Sequence, residues 1–244
     1  MRLTRVYPGT SKELNLDAST SRDTLLEWYK PPSPTWVRLN LIASVDGNAA
    51  GSDGTSETLT NSADRTILGV IRELSDVVLV GANSVRHEGY LLPRRSRLAV
   101  VTTTGDLTGH RIDPAAGQGR VIVLCPASAV NTVNRTLSDE VSEVVVVETT
   151  AANDALSMAN VIDALSRLGL TSIVCEGGPH LAGQLLADNL VNEACFSTSP
   201  LIGGTRLPML ETPSGTELPL ELSQLLIDNS SGVYARWLIT ARSQ

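Results

Sequence analysis

Aromatic side chains are scarce in this chain, making up 3% of its 244 residues with a single Phe. A core must therefore be assembled from Val, Leu, Ile and Ala, which suits strands buried on both faces of a parallel sheet. Cysteine is scarce as well. Cys125, Cys175 and Cys195 lie far apart with no C-x-x-C spacing. That excludes a disulfide framework and points to buried, reduced thiols in a cytoplasmic setting. The three histidines, His87, His110 and His180, form no metal-ligand pattern with them, so no metal is expected. Positive charge is in deficit, with a formal net charge of -7, and no basic cluster alternates with aromatics. Nucleic acid is thus not an expected partner. No apolar run approaches a membrane span, and Met1-Arg2-Leu3-Thr4-Arg5 is not followed by the apolar stretch of a signal peptide. A G-x-G-x-x-G fingerprint after the first confident strand is also missing, which argues against the usual dinucleotide-binding topology.

What is present is an alternation of apolar strands and amphipathic helices. Hydrophobic residues reach 42%, enough for one large α/β domain. Residues 1–35 read as an irregular extension holding one short helix near Asp23–Tyr29, and residues 36–244 as the main domain. Trp36–Ser44 is the first confident strand and runs into the turn Val45-Asp46-Gly47-Asn48. Asn61 caps a helix over Ser62–Leu74, whose Ala63, Ile67, Val70, Ile71 and Leu74 recur at helical spacing. Strands follow over Asp76–Gly81, Arg97–Thr103, Arg120–Cys125 and Val144–Glu148, the last three joined by loops. A helix over Asp154–Leu168 ends at Gly169. A strand, Thr171–Cys175, turns through Gly177-Gly178 into a helix from His180 to Asp188. Val191–Ser199 is a further strand, and Leu218–Ile227 with Gly232–Thr240 form an antiparallel pair at the end.

Ligands of such sheets sit at the carboxyl ends of the strands. That places four turns on one rim: Asp46-Gly47, Gly81-Ala82, Thr102–Thr104 and Gly177-Gly178. A strand, a Gly-Gly turn and a helix make a site for a phosphorylated ligand, because glycine admits close approach and the helix presents free N–H groups. By itself the turn reads equally as ordinary strand-to-helix geometry.

Taken together, Leu41–Gly47, Ser56–Thr60, Val78–Val85, Glu176–Leu181 and Ser199–Gly204 resemble the reductase domain of the riboflavin-biosynthesis deaminase–reductase family. The resemblance covers residues 36 to 240. It implies a three-layer, dihydrofolate-reductase-like α/β fold with a mostly parallel central sheet and an antiparallel terminal strand. It also implies NADPH-dependent reduction of 5-amino-6-(5-phosphoribosylamino)uracil to its ribitylamino product, and a homodimer. Carried over residue by residue, Ser56, Arg72, Leu92, Arg95 and Glu176 match substrate-contacting positions. Ala43, Thr60, Gly81, Ala82, Ser84, Glu88 and Thr103 fall at cofactor contacts, as does the run Gly177, Gly178, Pro179, His180, Leu181, Ala182, Gly183 and Gln184. Asp46 and Glu176 are the catalytic candidates. Arg72 reads otherwise as a solvated helix arginine, Asp46 as a plain turn aspartate, and His180 as a surface or capping residue. Arg111, with Thr102–Thr104, is a candidate for the cofactor 2′-phosphate, and the terminal strands with Val191–Ser199 for a dimer interface.

The chain departs from the family in places. The Asp-Asp-Pro-x-Leu-x-x-Arg that commonly follows the Gly81 strand is replaced by His87-Glu88-Gly89-Tyr90-Leu91-Leu92-Pro93-Arg94-Arg95, and a common tryptophan is Thr58. The zinc deaminase signature is missing. Two alternatives therefore stand beside the pyrimidine reductase: an NADPH reductase of another heterocycle, including dihydropterins, and a non-catalytic nucleotide-binding module.

Overall fold

The computed structural model describes residues 1–87, 92–137, 141–150 and 155–240. The chain opens with β1 (Arg2–Tyr7), β2 (Lys12–Asn15) and helix α1 (Ser21–Tyr29). Then come β3 (Trp36–Ser44), α2 (Ser62–Glu73), β4 (Val77–Gly81), α3 (Ala82–His87), β5 (Arg97–Val101), α4 (Pro114–Gly117) and β6 (Val121–Cys125). The second half contains α5 (Val130–Thr136), β7 (Ser142–Val146), the two-residue strands β8 (Thr149–Thr150) and β9 (Ala155–Leu156), α6 (Met158–Arg167) and β10 (Ser172–Cys175). It ends with α7 (Pro179–Ala187), β11 (Glu193–Ser199), β12 (Leu220–Asp228) and β13 (Val233–Ile239).

Among the described residues one sheet of 11 strands runs in the order β2-β1-β12-β13-β11-β3-β10-β4-β5-β6-β7. Its pairings from β11 through to β7 are parallel, and those among β2, β1, β12, β13 and β11 are antiparallel. The expected α/β architecture, mostly parallel with antiparallel strands at its end, is what the chain adopts.

Alternation along the strands explains the layers. Val78, Val80, Leu98, Val100, Val121, Val123 and Val174 face a core shared with Leu25 and Tyr29 of α1, Ile67 and Ile71 of α2 and Val133 of α5. Val77, Leu79, Ala99, Ile122, Leu124 and Ile173 face the opposite core, with Val161 and Leu165 of α6 and Leu181, Leu185 and Leu186 of α7. Every residue of β6 is fully buried, as its continuous VIVLC run demands.

Several local expectations need correction. The first residues are not an irregular lead-in: β1 pairs with β12 and β2, extending the sheet. The RLTRVY run lies where the sheet face is only partly covered, so it lacks the apolar signature of a central strand. The span between β6 and β7 holds α5, whose VNTVNRT sequence carries one fully buried valine and little helical patterning. The amphipathic helix α6 begins at Met158 rather than Asp154, and Asp154 lies outside the described residues. Strand β7 is Ser142–Val146, slightly earlier than expected.

Candidate active site

Helix α2 carries the first wall of a large cavity. Asn61 caps it: its side-chain oxygen accepts from the backbone N–H of Ala63 at 2.8 Å and of Asp64 at 3.0 Å. The same side chain donates to Asp228 at 2.7 Å, and Tyr234 donates to Asp228 at 2.6 Å. The start of α2 is thereby tied to the β12–β13 hairpin. Thr60, Asp64, Leu68 and Arg72, each four residues apart, then form one stripe that lines the cavity.

The opposite wall comes from strand ends. The N–H of Glu176 donates to Leu79 at 3.0 Å, so the β10–β4 ladder continues past Cys175 and delivers the Glu176 side chain to α2. There it receives two parallel hydrogen bonds from Arg72, Nε to Oε1 and Nη2 to Oε2, both at 2.7 Å. The side chains are 22% and 7% exposed, so this is a largely desolvated fork. Burial pulls the guanidinium pKa down, but the hydrogen bonds and charge of Glu176 outweigh it and leave Arg72 above its ordinary value. Beyond Glu176 the chain turns through Gly177, at φ 93°, and a cis Gly177–Gly178 peptide. The N–H of Gly81 donates to the Gly177 carbonyl at 2.9 Å, so the two glycine turns meet. A Cβ on Gly81 would sit 3.7 Å from the Gly178 nitrogen. Helix α7 starts at once, with Gly178 as N-cap and Pro179 in its first turn.

The cavity has a volume of about 880 Å³, within the range of sites for sizeable small molecules. Of the sequence candidates, Ser56, Thr60, Arg72, Gly81, Ala82, Ser84, Thr103, Glu176, Gly177, Gly178, Pro179, His180, Leu181 and Gln184 line it. Others stand apart from the lining. Ala43 is 4% exposed inside the sheet, and its neighbours Leu41 and Ile42 reach the cavity instead. Ala182 is fully buried on the inner face of α7. Gly183 is a packing glycine: a Cβ there would stand 1.9 Å from the Glu211 carbonyl oxygen. Leu92 packs against the core, and Arg95 pairs with Glu73 at 2.7 Å. Asp46 accepts from the Ser44 hydroxyl at 2.6 Å and from the Gly203 N–H at 3.0 Å, bracing two loops in solvent. Those bonds hold its carboxyl below the ordinary range. Glu88 lies outside the described residues. Arg111 does not line the cavity. Arg86 does, beside Thr102–Thr104, held by the Asp106 carbonyl at 2.5 Å and the Asn83 side chain.

The sequence reading missed Asp64, Arg65, Arg86 and the 207–211 segment, which contributes Leu207, Met209 and Glu211 to the wall. An acid in the first turn of a helix is normally read as complementing the helix dipole. The signal that marks Asp64 out is the four-residue spacing from Thr60 through to Arg72.

Residues 35–229 match the RibD C-terminal domain. The chain belongs to the RibD C-terminal domain family. Riboflavin biosynthesis protein RibD of Chlamydia pneumoniae is 25% identical over 210 residues, which cover 78% of this chain and 54% of that protein. The chain thus spans about half the length of this relative. The 2,5-diamino-6-ribosylamino-4(3H)-pyrimidinone 5′-phosphate reductase of Methanothermobacter thermautotrophicus is 28% identical over 189 residues, covering 70% of this chain and 80% of that one. Among solved structures, a pyrimidine reductase-like protein from Corynebacterium diphtheriae superposes with a TM-score of 0.70 at 22% identity. That match covers 85% of this chain and 92% of the other, and it shows that the two share a fold.

Proposed function

We propose that this RibD-type chain is a pyrimidine reductase of riboflavin biosynthesis, reducing the ribosyl group of a phosphoribosylamino-pyrimidine to ribityl with NADPH. One observation carries the reading: a single cavity joins a double glycine turn at the start of α7 to the desolvated Arg72–Glu176 fork. The residues present fit a dinucleotide. Gly81, Gly177 and Gly178 leave room for close backbone approach, and α7 points its N-terminus at the same place. When bound, the cofactor supplies a hydride.

On the substrate the ring oxygen–C1′ bond opens. The oxygen takes a proton, and the amine nitrogen releases one as C=N forms. Hydride addition at C1′ and a solvent proton on nitrogen complete the ribityl amine. The protein's task is to hold that carbon in place and exclude water. Glu176, locked by Arg72, has a fixed orientation for substrate hydroxyls, and Ser56 lines the same cavity. Arg86 with Thr102–Thr104 supports NADPH over NADH by offering a cation and hydroxyls to a 2′-phosphate. The test separates the two arms. Gly178→Val, which fills the turn, abolishes NADPH binding; Glu176→Gln leaves NADPH binding in place and lowers turnover. Unchanged turnover in Glu176→Gln overturns the substrate placement.

A homodimer in the cytoplasm completes the proposal. The three described cysteines are free and buried, as suits a reducing compartment, and among the described residues no helix is long and apolar enough to cross a membrane. The expected interface strands have no free edge: β11 lies between β13 and β3, and β12 between β1 and β13. Exposed Val45, Leu201 and Ile202, brought together by the Val45 N–H donating to Leu201 at 2.8 Å, offer an apolar surface instead. Light scattering that gives a monomer mass removes the dimer.

A further inference from the structure

The cavity wall carries a buried carboxyl, Asp64, that the reduction just described does not use. Asp64 sits in the first turn of α2, on the stripe that ends at Arg72, eight residues and about 12 Å further along the helix. Leu68 lies between them on the cavity wall. The stripe therefore offers a polar group at each end and an apolar middle. This matches a molecule with hydroxyls and a phosphate at one end and a hydrogen-bonding heterocycle at the other. The fork with Glu176 marks the ribosyl end and leaves Asp64 for the ring.

We infer that Asp64 reads the heterocycle, accepting from the 2-amino group and the ring N3–H of a 2-amino-4-oxopyrimidine, and so selects that ring over the 2,4-dioxo (uracil) ring. This rests on the pyrimidine-reductase reading. The two candidate rings differ at position 2, where a donor is replaced by a carbonyl acceptor. A carboxylate complements two adjacent N–H donors; against a 2-carbonyl it sets acceptor facing acceptor.

The surroundings of Asp64 fit an acceptor held ready. The Thr60 hydroxyl donates to Oδ2 at 2.8 Å, and Ser197 of β11 is a further hydrogen-bond partner. The residue is 9% exposed, so a ligand group meeting it is desolvated, which raises the cost of a mismatched pair. Asn61 fixes the backbone from which it projects by capping the Asp64 N–H. Burial raises its pKa, the Ser197 and Thr60 hydroxyls and Arg65 lower it, and Asp228 raises it. A buried acid held by two hydroxyls gains further from a ligand that brings N–H donors.

The experiment compares the 2-amino and 2-oxo forms of the phosphoribosylamino-pyrimidine as substrates with NADPH, for wild type and Asp64→Asn. It also measures binding of the two ribitylamino products by calorimetry. The wild type is expected to favour the 2-amino ring by about 100-fold in kcat/KM and to bind its product correspondingly tighter. Asp64→Asn, whose amide can donate to a 2-carbonyl, is expected to lose or reverse that preference. Equal use of both rings by wild type, or an unchanged preference in Asp64→Asn, overturns the role of Asp64 while leaving the reductase reading intact. Turnover of neither ring overturns both.

Discussion

If the Arg72–Glu176 fork shapes the substrate end of the cavity, cutting it has a calculable cost. Glu176→Gln keeps the shape but replaces a carboxylate that accepts two 2.7 Å hydrogen bonds with one neutral acceptor and one donor. Arg72, at 22% exposure, is left with a charged donor facing an N–H. Losing one partner of a largely buried pair costs about 3 kcal/mol. For a domain of this size that lowers Tm by about 6–12 °C. Arg72→Met removes the cation with little volume change and leaves Glu176, at 7% exposure, without its charge partner, at a similar cost. The double variant buries no unmatched charge from either side. Its destabilisation should therefore fall short of the sum of the singles by about 2 kcal/mol or more. Denaturant unfolding of all four proteins, with turnover measured alongside, gives the cycle directly. Additive losses within about 0.5 kcal/mol would refute the coupling and with it the claim that the fork is what orients Glu176.

Two further outcomes follow from other parts of the site. Gly183→Ala drives a methyl into the Glu211 carbonyl, so the 207–211 wall must shift; thermal melts and NADPH titration should show lower Tm and weaker binding, and a neutral result would mean the wall is not held there. Asp64 has a folded-state pKa above its ordinary value, so as pH rises the unfolded chain releases this proton first, and the stability Asp64 contributes in acid is lost as pH climbs through the folded pKa. The Tm of Asp64→Asn relative to wild type should accordingly increase from about pH 4 to about pH 8, and a flat difference would mean Asp64 is not desolvated.

Physics decides which features were readable in the chain. β3 is rich in apolar residues, broken only by Arg38 and Asn40 before Ser44, and its bounds were legible, as were the Asn61 cap and the α2 face, because each is a local pattern. β1 was not, because its partner β12 lies more than 200 residues away and its own alternation is weak. In the site, the glycine turns and Glu176 were visible because strand–turn–helix punctuation is local. The four-residue stripe on α2 was equally local, yet Asp64 on it was passed over, since acids early in a helix are common for a different reason. Arg95 and Leu92 could be placed by alignment of types but not by environment. Their neighbours, Glu73 on α2 and the core beneath, are set by tertiary packing.

The central claim is tested most directly by following NADPH absorbance with freshly prepared phosphoribosylamino-pyrimidine, in its 2-amino and 2-oxo forms, with dihydrofolate in parallel. The account predicts NADPH oxidation that depends on a pyrimidine ribosylamine and is lost in Glu176→Gln. Tight NADPH binding with no pyrimidine-dependent oxidation would contradict it.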